Sequence, residues 1–310
     1  MIKKIEQRKE ELKIGLALGS GAARGITHIG VLKAIEESGI KIDYISGSSI
    51  GALIGGAYAM GMPVEEIENI ALKTNWKLMV KIFSPTISLS SLVNSNYLSE
   101  FLSTLFGNKT FDDLKIPFSA VTADIQTGEM VVLERGDLLS AIRASISIPI
   151  LFSPVTIGRH KLVDGGLVNP TPVDVVKKMG MDKVIAVNLR RFGTYGMNQY
   201  DAKQIPKVIK NVKEFSLNEK IQYFIKHPLN YLNNNSNEKT PDPKIWNILY
   251  QMFIIVQVQI SDLTMQIAKP DILIEPDTGD FKVLDFSKAK ELIEIGYSAA
   301  KKQLRDFGSV

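Results

Sequence analysis

The chain has 310 residues, 45% hydrophobic and 23% charged, with no cysteine and a formal charge of +4. That length can bury one large α/β core, and the composition excludes a disordered or fibrous chain. The missing thiols exclude disulfides, thiolate metal sites and cysteine nucleophiles together, while the mild charge argues against nucleic acid and is compatible with an acidic membrane surface.

The N-terminal MIKKIEQRKEELK alternates charge with single apolar residues and lacks the apolar run of a signal peptide, so a cytoplasmic chain is expected. Ile14 to Leu18 reads as a buried strand, Gly19 to Gly25 as a glycine-rich turn, and Ile29 to Glu37 as a helix ended by Gly39. A second strand over Ile42 to Ile45 leads into GSSIG and a small-residue helix over Ala52 to Met60. Trp76 to Tyr97 is rich in Ser, Asn and isolated apolar residues, which suggests a loop or cap. Further strands are expected at Phe118 to Ala123, Met130 to Leu133, Lys161 to Val163, Val184 to Asn188 and Ile272 to Glu275.

Residues 190–245 form a variable, lysine-rich insertion. Six lysines against Glu214 and Glu219 between Lys203 and Leu232 read as a solvated helical face, or as a membrane-docking patch anchored by Phe215, Tyr223 and Phe224. From Ile245 to Ile260 an apolar stretch interrupted by Gln251, Gln257 and Gln259 is too short to span a bilayer, so a buried helix is expected. The pattern predicts one domain over residues 1–310, α/β with a largely parallel sheet.

Gly47-Ser48-Ser49-Ile50-Gly51 is a GxSxG sequence between a predicted strand and a predicted helix. Glycines on both sides let a strained turn lift Ser49 to the helix N-terminus, where free amides and the helix dipole favour the negative charge that builds during attack on an ester. A serine-capped glycine turn is the plainer reading of the same residues. A serine hydroxyl needs a base, and the three histidines fit poorly. His28 starts a helix as a packed or surface residue, His160 sits on an apparent hairpin ahead of the best acid, and His227 precedes Pro228 in the lysine-rich region. Asp164, followed by Gly165 and Gly166, ends an apolar strand and is the best carboxylate for a histidine-free mechanism, although DGG alone is also a simple turn. Gly19, Ser20, Gly21 and Ala22 are small enough for their amides to converge as an oxyanion hole, where one donor is worth about 3 kcal/mol. Arg24 would hold that loop, bind an anionic head group, or form a surface ion pair.

GSGAARG, GSSIG and DGG in this order, with Ala144-Ser145-Ile146-Ser147-Ile148-Pro149 between the last two, resemble the signature of the patatin-like phospholipase family, in its bacterial branch. The resemblance implies a three-layer α/β/α sandwich, Ser49 as nucleophile and Asp164 as base, and an oxyanion hole around Ser20, Gly21 and Ala22. It also implies hydrolysis of acyl esters in phospholipids, lysophospholipids or neutral lipids, with no metal or organic cofactor. Ser20 departs from the family's more usual glycine. Two rivals remain: an NADP-type domain, with Asp43 about twenty residues past the glycine loop, and a membrane-associated interaction protein that keeps the fold without turnover.

Overall fold

The structure, a computed structural model, describes residues 12–73, 95–149, 151–189, 245–279, 281 and 285–305. The chain divides into a unit of residues 1–193 and 246–310 and a second of residues 194–245; the described residues, Ile245 apart, belong to the first. The lysine-rich patch, His227 and all of the expected cap except its last three residues lie outside the described residues, and Ser95 to Tyr97 open a helix.

Eight strands are described: β1 (Ile14–Leu18), β2 (Tyr44–Ser48), β3 (Phe118–Asp124), β4 (Met130–Leu133), β5 (Val155–Ile157), β6 (His160–Asp164), β7 (Lys183–Val187) and β8 (Ile272–Ile274). They pair along the path β5-β6-β3-β2-β1-β7-β8, with β4 also on β3. The run from β3 through β8 is parallel, and β4, β5 and β6 pair antiparallel. The eight described helices are α1 (Thr27–Glu37), α2 (Ile50–Ala59), α3 (Val64–Lys73), α4 (Ser95–Phe106), α5 (Leu138–Ser145), α6 (Val173–Lys178), α7 (Ile245–Ala268) and α8 (Ala289–Leu304).

Period-two alternation makes the layers. Leu16, Leu18, Ile45, Ile185 and Val187 point into the larger core beneath α1 to α5 and α8, while Ala17, Tyr44, Val184 and Ala186 point to the opposite face, against Val173 and Val176 of α6 and Met265 of α7. A parallel strand buried on both faces needs this near-continuous apolar sequence. The architecture is therefore a three-layer α/β/α sandwich. α1 and α8 cross at glycines: a methyl on Gly30 would lie 1.9 Å from the Ile293 carbonyl oxygen, and one on Gly296 would lie 2.0 Å from that of Thr27.

The segment after Ile245 departs from expectation. It is a 24-residue helix that runs on to Ala268, and from Met252 on it is only half buried. Phe253, Ile254, Gln257, Ser261 and Met265 face inward, whereas Met252, Ile255, Val256, Leu263 and Ile267 are exposed. Gln257 goes to the buried side and Gln259 to the exposed one, so the apolar run covers both faces of the helix. No helix among the described residues is long and apolar enough to cross a membrane.

Candidate active site

The register explains how residues 115 apart in sequence meet. β2 occupies one edge of β3 as far as Ser48 opposite Val121, and β4 takes the other edge from Ala120 to Ala123. β6 therefore lies on the β2 edge, and its pairing begins one residue later, with Asp164 opposite Thr122. Two strands running in opposite directions thus end nose to nose on one edge of β3. Gly165 fits at the seam because a methyl there would lie 2.2 Å from the Val121 carbonyl oxygen and 2.9 Å from Ser48 Oγ.

At that seam Ser49 Oγ donates to Asp164 Oδ2 at 2.5 Å, with Ser49 5% and Asp164 0% exposed. Ser49 has φ 56 and ψ −123, a strained left-handed conformation for a residue with a side chain. Its neighbours make the turn sterically possible: a methyl on Gly47 would lie 2.4 Å from the Gly51 carbonyl oxygen, and one on Gly51 2.2 Å from that of Leu18. Ser49 is the N-cap of α2, so its hydroxyl sits at the positive end of a ten-residue helix. Asp164 Oδ1 accepts the Gly166 amide at 2.8 Å. Burial pushes the Asp164 carboxyl up from 3.8 to about 7, against the opposing effect of the bonds from Ser49 and Gly166.

Residues between the two motifs hold this geometry. The Ser49 amide donates to Ser145 Oγ at 3.0 Å, which itself donates to the Val121 carbonyl at 2.7 Å. The Asp164 amide donates to the Ser147 carbonyl at 2.9 Å. Arg143 donates to Ser147 Oγ and lies over the Phe152 ring at 5.2 Å. The Ala144–Pro149 block showed in the sequence without a role for Ser145 or Ser147. Arg143 carried no signal beyond being one more basic residue on a helix.

In the glycine loop, the Gly19 amide donates to the Val187 carbonyl and the Ser20 amide to that of Pro170. These two N–H groups fasten the loop to the sheet, so they are already spent on carbonyls. Gly21 and Ala22 open the following helical turn, where the first amides have no intrahelical acceptor, and Ala22 lines the same cavity as Ser49. Ser20 Oγ donates to Ser48 Oγ at 3.3 Å, so the serine that departs from the family pattern ties the loop to β2, the strand that leads into the sharp turn, or elbow, at Ser49. Arg24 is 2% exposed, which excludes the surface ion pair. It lines a small pocket with Gly21, Asn188, Ser261 and Asp262 that Ser49 does not line.

Neither described histidine touches Ser49. His28 is buried at 0% exposure and its Nε2–H donates to the Gly19 carbonyl at 2.7 Å. Burial lowers its pKa to about 4, so the ring is neutral and serves as a fixed donor. His160 Nδ1 pairs with Asp124 at 2.7 Å on the β5-β6 hairpin. Asp43 receives the Ile14 amide at the amino-terminal end of the sheet, the opposite end from Ser49, which removes the ribose contact that an NADP-type domain requires.

The family model for patatin-like phospholipase matches residues 16–177, a range that holds the glycine loop, Ser49 and Asp164. The chain belongs to the patatin-like phospholipase family. An uncharacterized NTE family protein of Mycobacterium tuberculosis is 36% identical over 177 residues, covering 57% of this chain and 49% of that protein. Patatin-like phospholipase domain-containing protein 6 of Mus musculus is 36% identical over 183 residues, covering 57% of this chain and 13% of its own length. The chain thus spans half or less of the curated relatives it matches. Among solved structures, VipD from Legionella pneumophila aligns with a TM-score of 0.48 at 14% identity, covering 96% of this chain and 67% of that one. The type III effector ExoU aligns at 0.43 and 13%, covering 96% and 53%.

Proposed function

We propose that this patatin-like phospholipase family member is a serine acyl hydrolase that cleaves carboxylic esters of lipids with a Ser49–Asp164 dyad. The observation that carries the reading is the Ser49 Oγ to Asp164 Oδ2 hydrogen bond inside a buried seam. Ionised Asp164 takes the hydroxyl proton as Ser49 Oγ attacks the acyl carbonyl carbon. A carboxyl held near 7 has both protonation states populated at neutral pH, as a group that must accept and then return a proton requires. The tetrahedral oxyanion faces the Gly21 and Ala22 amides and the N-terminus of α2. Asp164 then hands its proton to the departing alkoxide, leaving an acyl-Ser49 ester. Water, deprotonated by the same carboxylate, attacks that ester and frees the fatty acid and Ser49.

Roles follow for the remaining residues. Gly19 and Ser20 shape the loop, His28 and Arg24 support it, and Gly47, Gly51, Gly165 and Gly166 permit the close backbone approaches. Lipid substrates are supported by the cavity at Ser49, whose other described lining side chains, among them Leu53, Phe101, Ile148 and Phe152, are apolar. The exposed apolar stripe of α7 supports peripheral contact with a lipid surface. The test is steady-state hydrolysis of a short-chain chromogenic ester. Ser49→Ala and Asp164→Asn are each expected to lower kcat by roughly 10⁴ to 10⁶ with the fold retained, and near-wild-type turnover in either variant would contradict the dyad. A wild type that turns over no ester, short or long, would favour the interaction-protein reading.

A further inference from the structure

Two apolar cavities are lined by neighbouring residues of α2 and α4. The near one opens at Ser49 and is lined by Ala22, Leu98, Ile148 and Phe152, with about 520 Å³ of space counted with its mouth. The far one, of about 650 Å³ on the same count, lies between α1, α2, α3 and α4 and is lined by Ile26, Ile29, Ile67, Ala71 and Leu105. Four residues line both: Ile50, Leu53, Phe101 and Phe286. Among the described residues that line either cavity, Ser49 alone carries a polar side chain. An apolar space with no polar partner is unsuited to a head group.

We infer that Leu53 and Phe101 form the junction of a two-chamber acyl channel and so set the acyl chain length that this enzyme favours. The inference rests on Ser49 as nucleophile. An acyl carbon bonded to Ser49 Oγ starts its chain in the near chamber. A short chain ends there, and a longer one passes between Leu53 of α2 and Phe101 of α4 into the far chamber. Ile50 makes the same wall continuous with the elbow, since it follows Ser49 directly and packs on Gly25 of the oxyanion loop. Each methylene that finds apolar lining raises kcat/KM by up to about fourfold, so selectivity is set by how far the channel stays open.

A series of p-nitrophenyl esters from butanoyl to hexadecanoyl, held below their aggregation limits, reads this directly. Wild-type kcat/KM is expected to climb with chain length into the long-chain range. Ala71→Phe narrows the far chamber and Leu53→Trp blocks the junction. Each is expected to lower the ratio of tetradecanoyl to butanoyl kcat/KM by at least about tenfold. Leu105→Ala deepens the far chamber and is expected to move the preferred length upward, so the variants shift the profile in opposite directions while thermal melting reports on their fold. A profile that is flat in wild type, or the same in all folded variants, overturns the channel while leaving the Ser49 reading in place. Absence of hydrolysis at every chain length, or equal hydrolysis by Ser49→Ala, removes that reading and the channel with it.

Discussion

Asp164 faces two demands that conflict. The proposed role as base requires its ionised form, while complete burial favours the neutral one and raises the carboxyl from 3.8 to about 7. Activity governed by this base should rise with pH through a single apparent pKa near 7 in kcat/KM, and a profile flat from about pH 5 to 9 would contradict it. Stability runs the other way. Because the folded pKa lies above the unfolded one, the native state holds a proton that the unfolded chain releases. The resulting stabilisation is complete below about pH 4 and is lost as pH rises through 7. A shift of that size corresponds to on the order of 4 kcal/mol. Asp164→Asn, which mimics the neutral acid, is therefore expected to melt several degrees above wild type at about pH 8 and to lose that advantage below pH 4. Thermal melts across this range check the sign, and a variant less stable than wild type at high pH would count against the burial account. Active sites commonly sacrifice stability in this way.

Between elements, the site depends on how β2, β6 and α5 end. Ser145 closes α5 by accepting the Ser49 amide and donating to Val121, and it is fully buried. Ser145→Ala leaves both partners without that hydroxyl in a dry seam, which should cost about 1–3 kcal/mol. Chemical denaturation is expected to show that loss, together with a fall in kcat larger than any change in KM, because the elbow loosens while the acyl channel stays intact. Much of this was legible in the sequence. The strand-to-helix turns after β1 and β2 announce themselves through apolar runs broken by glycine, and DGG marks the end of β6. The seam itself was not legible, because register between β2, β3 and β6 is a long-range property that no local pattern encodes. For the same reason the sequence shows the short strand β5 only as part of a hairpin and carries no sign of the Arg143 contact. The glycine loop was legible as a group of small residues, but which amides its own fold consumes depends on Val187 and Pro170, far along the chain.

At the scale of the molecule, the site opens at the carboxyl ends of the parallel strands, where α/β sheets place their ligands. α7 crosses the same end: a methyl on Gly166 would lie 1.9 Å from Gln257 Nε2 of this helix, and its opposite side exposes Ile255, Leu263 and Ile267. A lipid surface contacted by α7 would bring substrate to the mouth of Ser49. Ile255→Asp combined with Leu263→Asp is expected to weaken cosedimentation with anionic vesicles and slow hydrolysis of vesicle lipid about tenfold or more, with a soluble butanoyl ester turned over as before. Equal vesicle binding by the double variant would remove α7 from that role. The sequence showed the apolar run of α7 but not its two-sidedness, since partner elements decide which side of a helix is covered. The central claim, that Ser49 is a nucleophile activated by Asp164, is tested most directly by fluorophosphonate labelling with peptide mapping of wild type, Ser49→Ala and Asp164→Asn. One adduct is expected, on Ser49, formed faster as pH rises through 7, absent in Ser49→Ala and strongly slowed in Asp164→Asn. An adduct on another residue, or undiminished labelling in either variant, would contradict it.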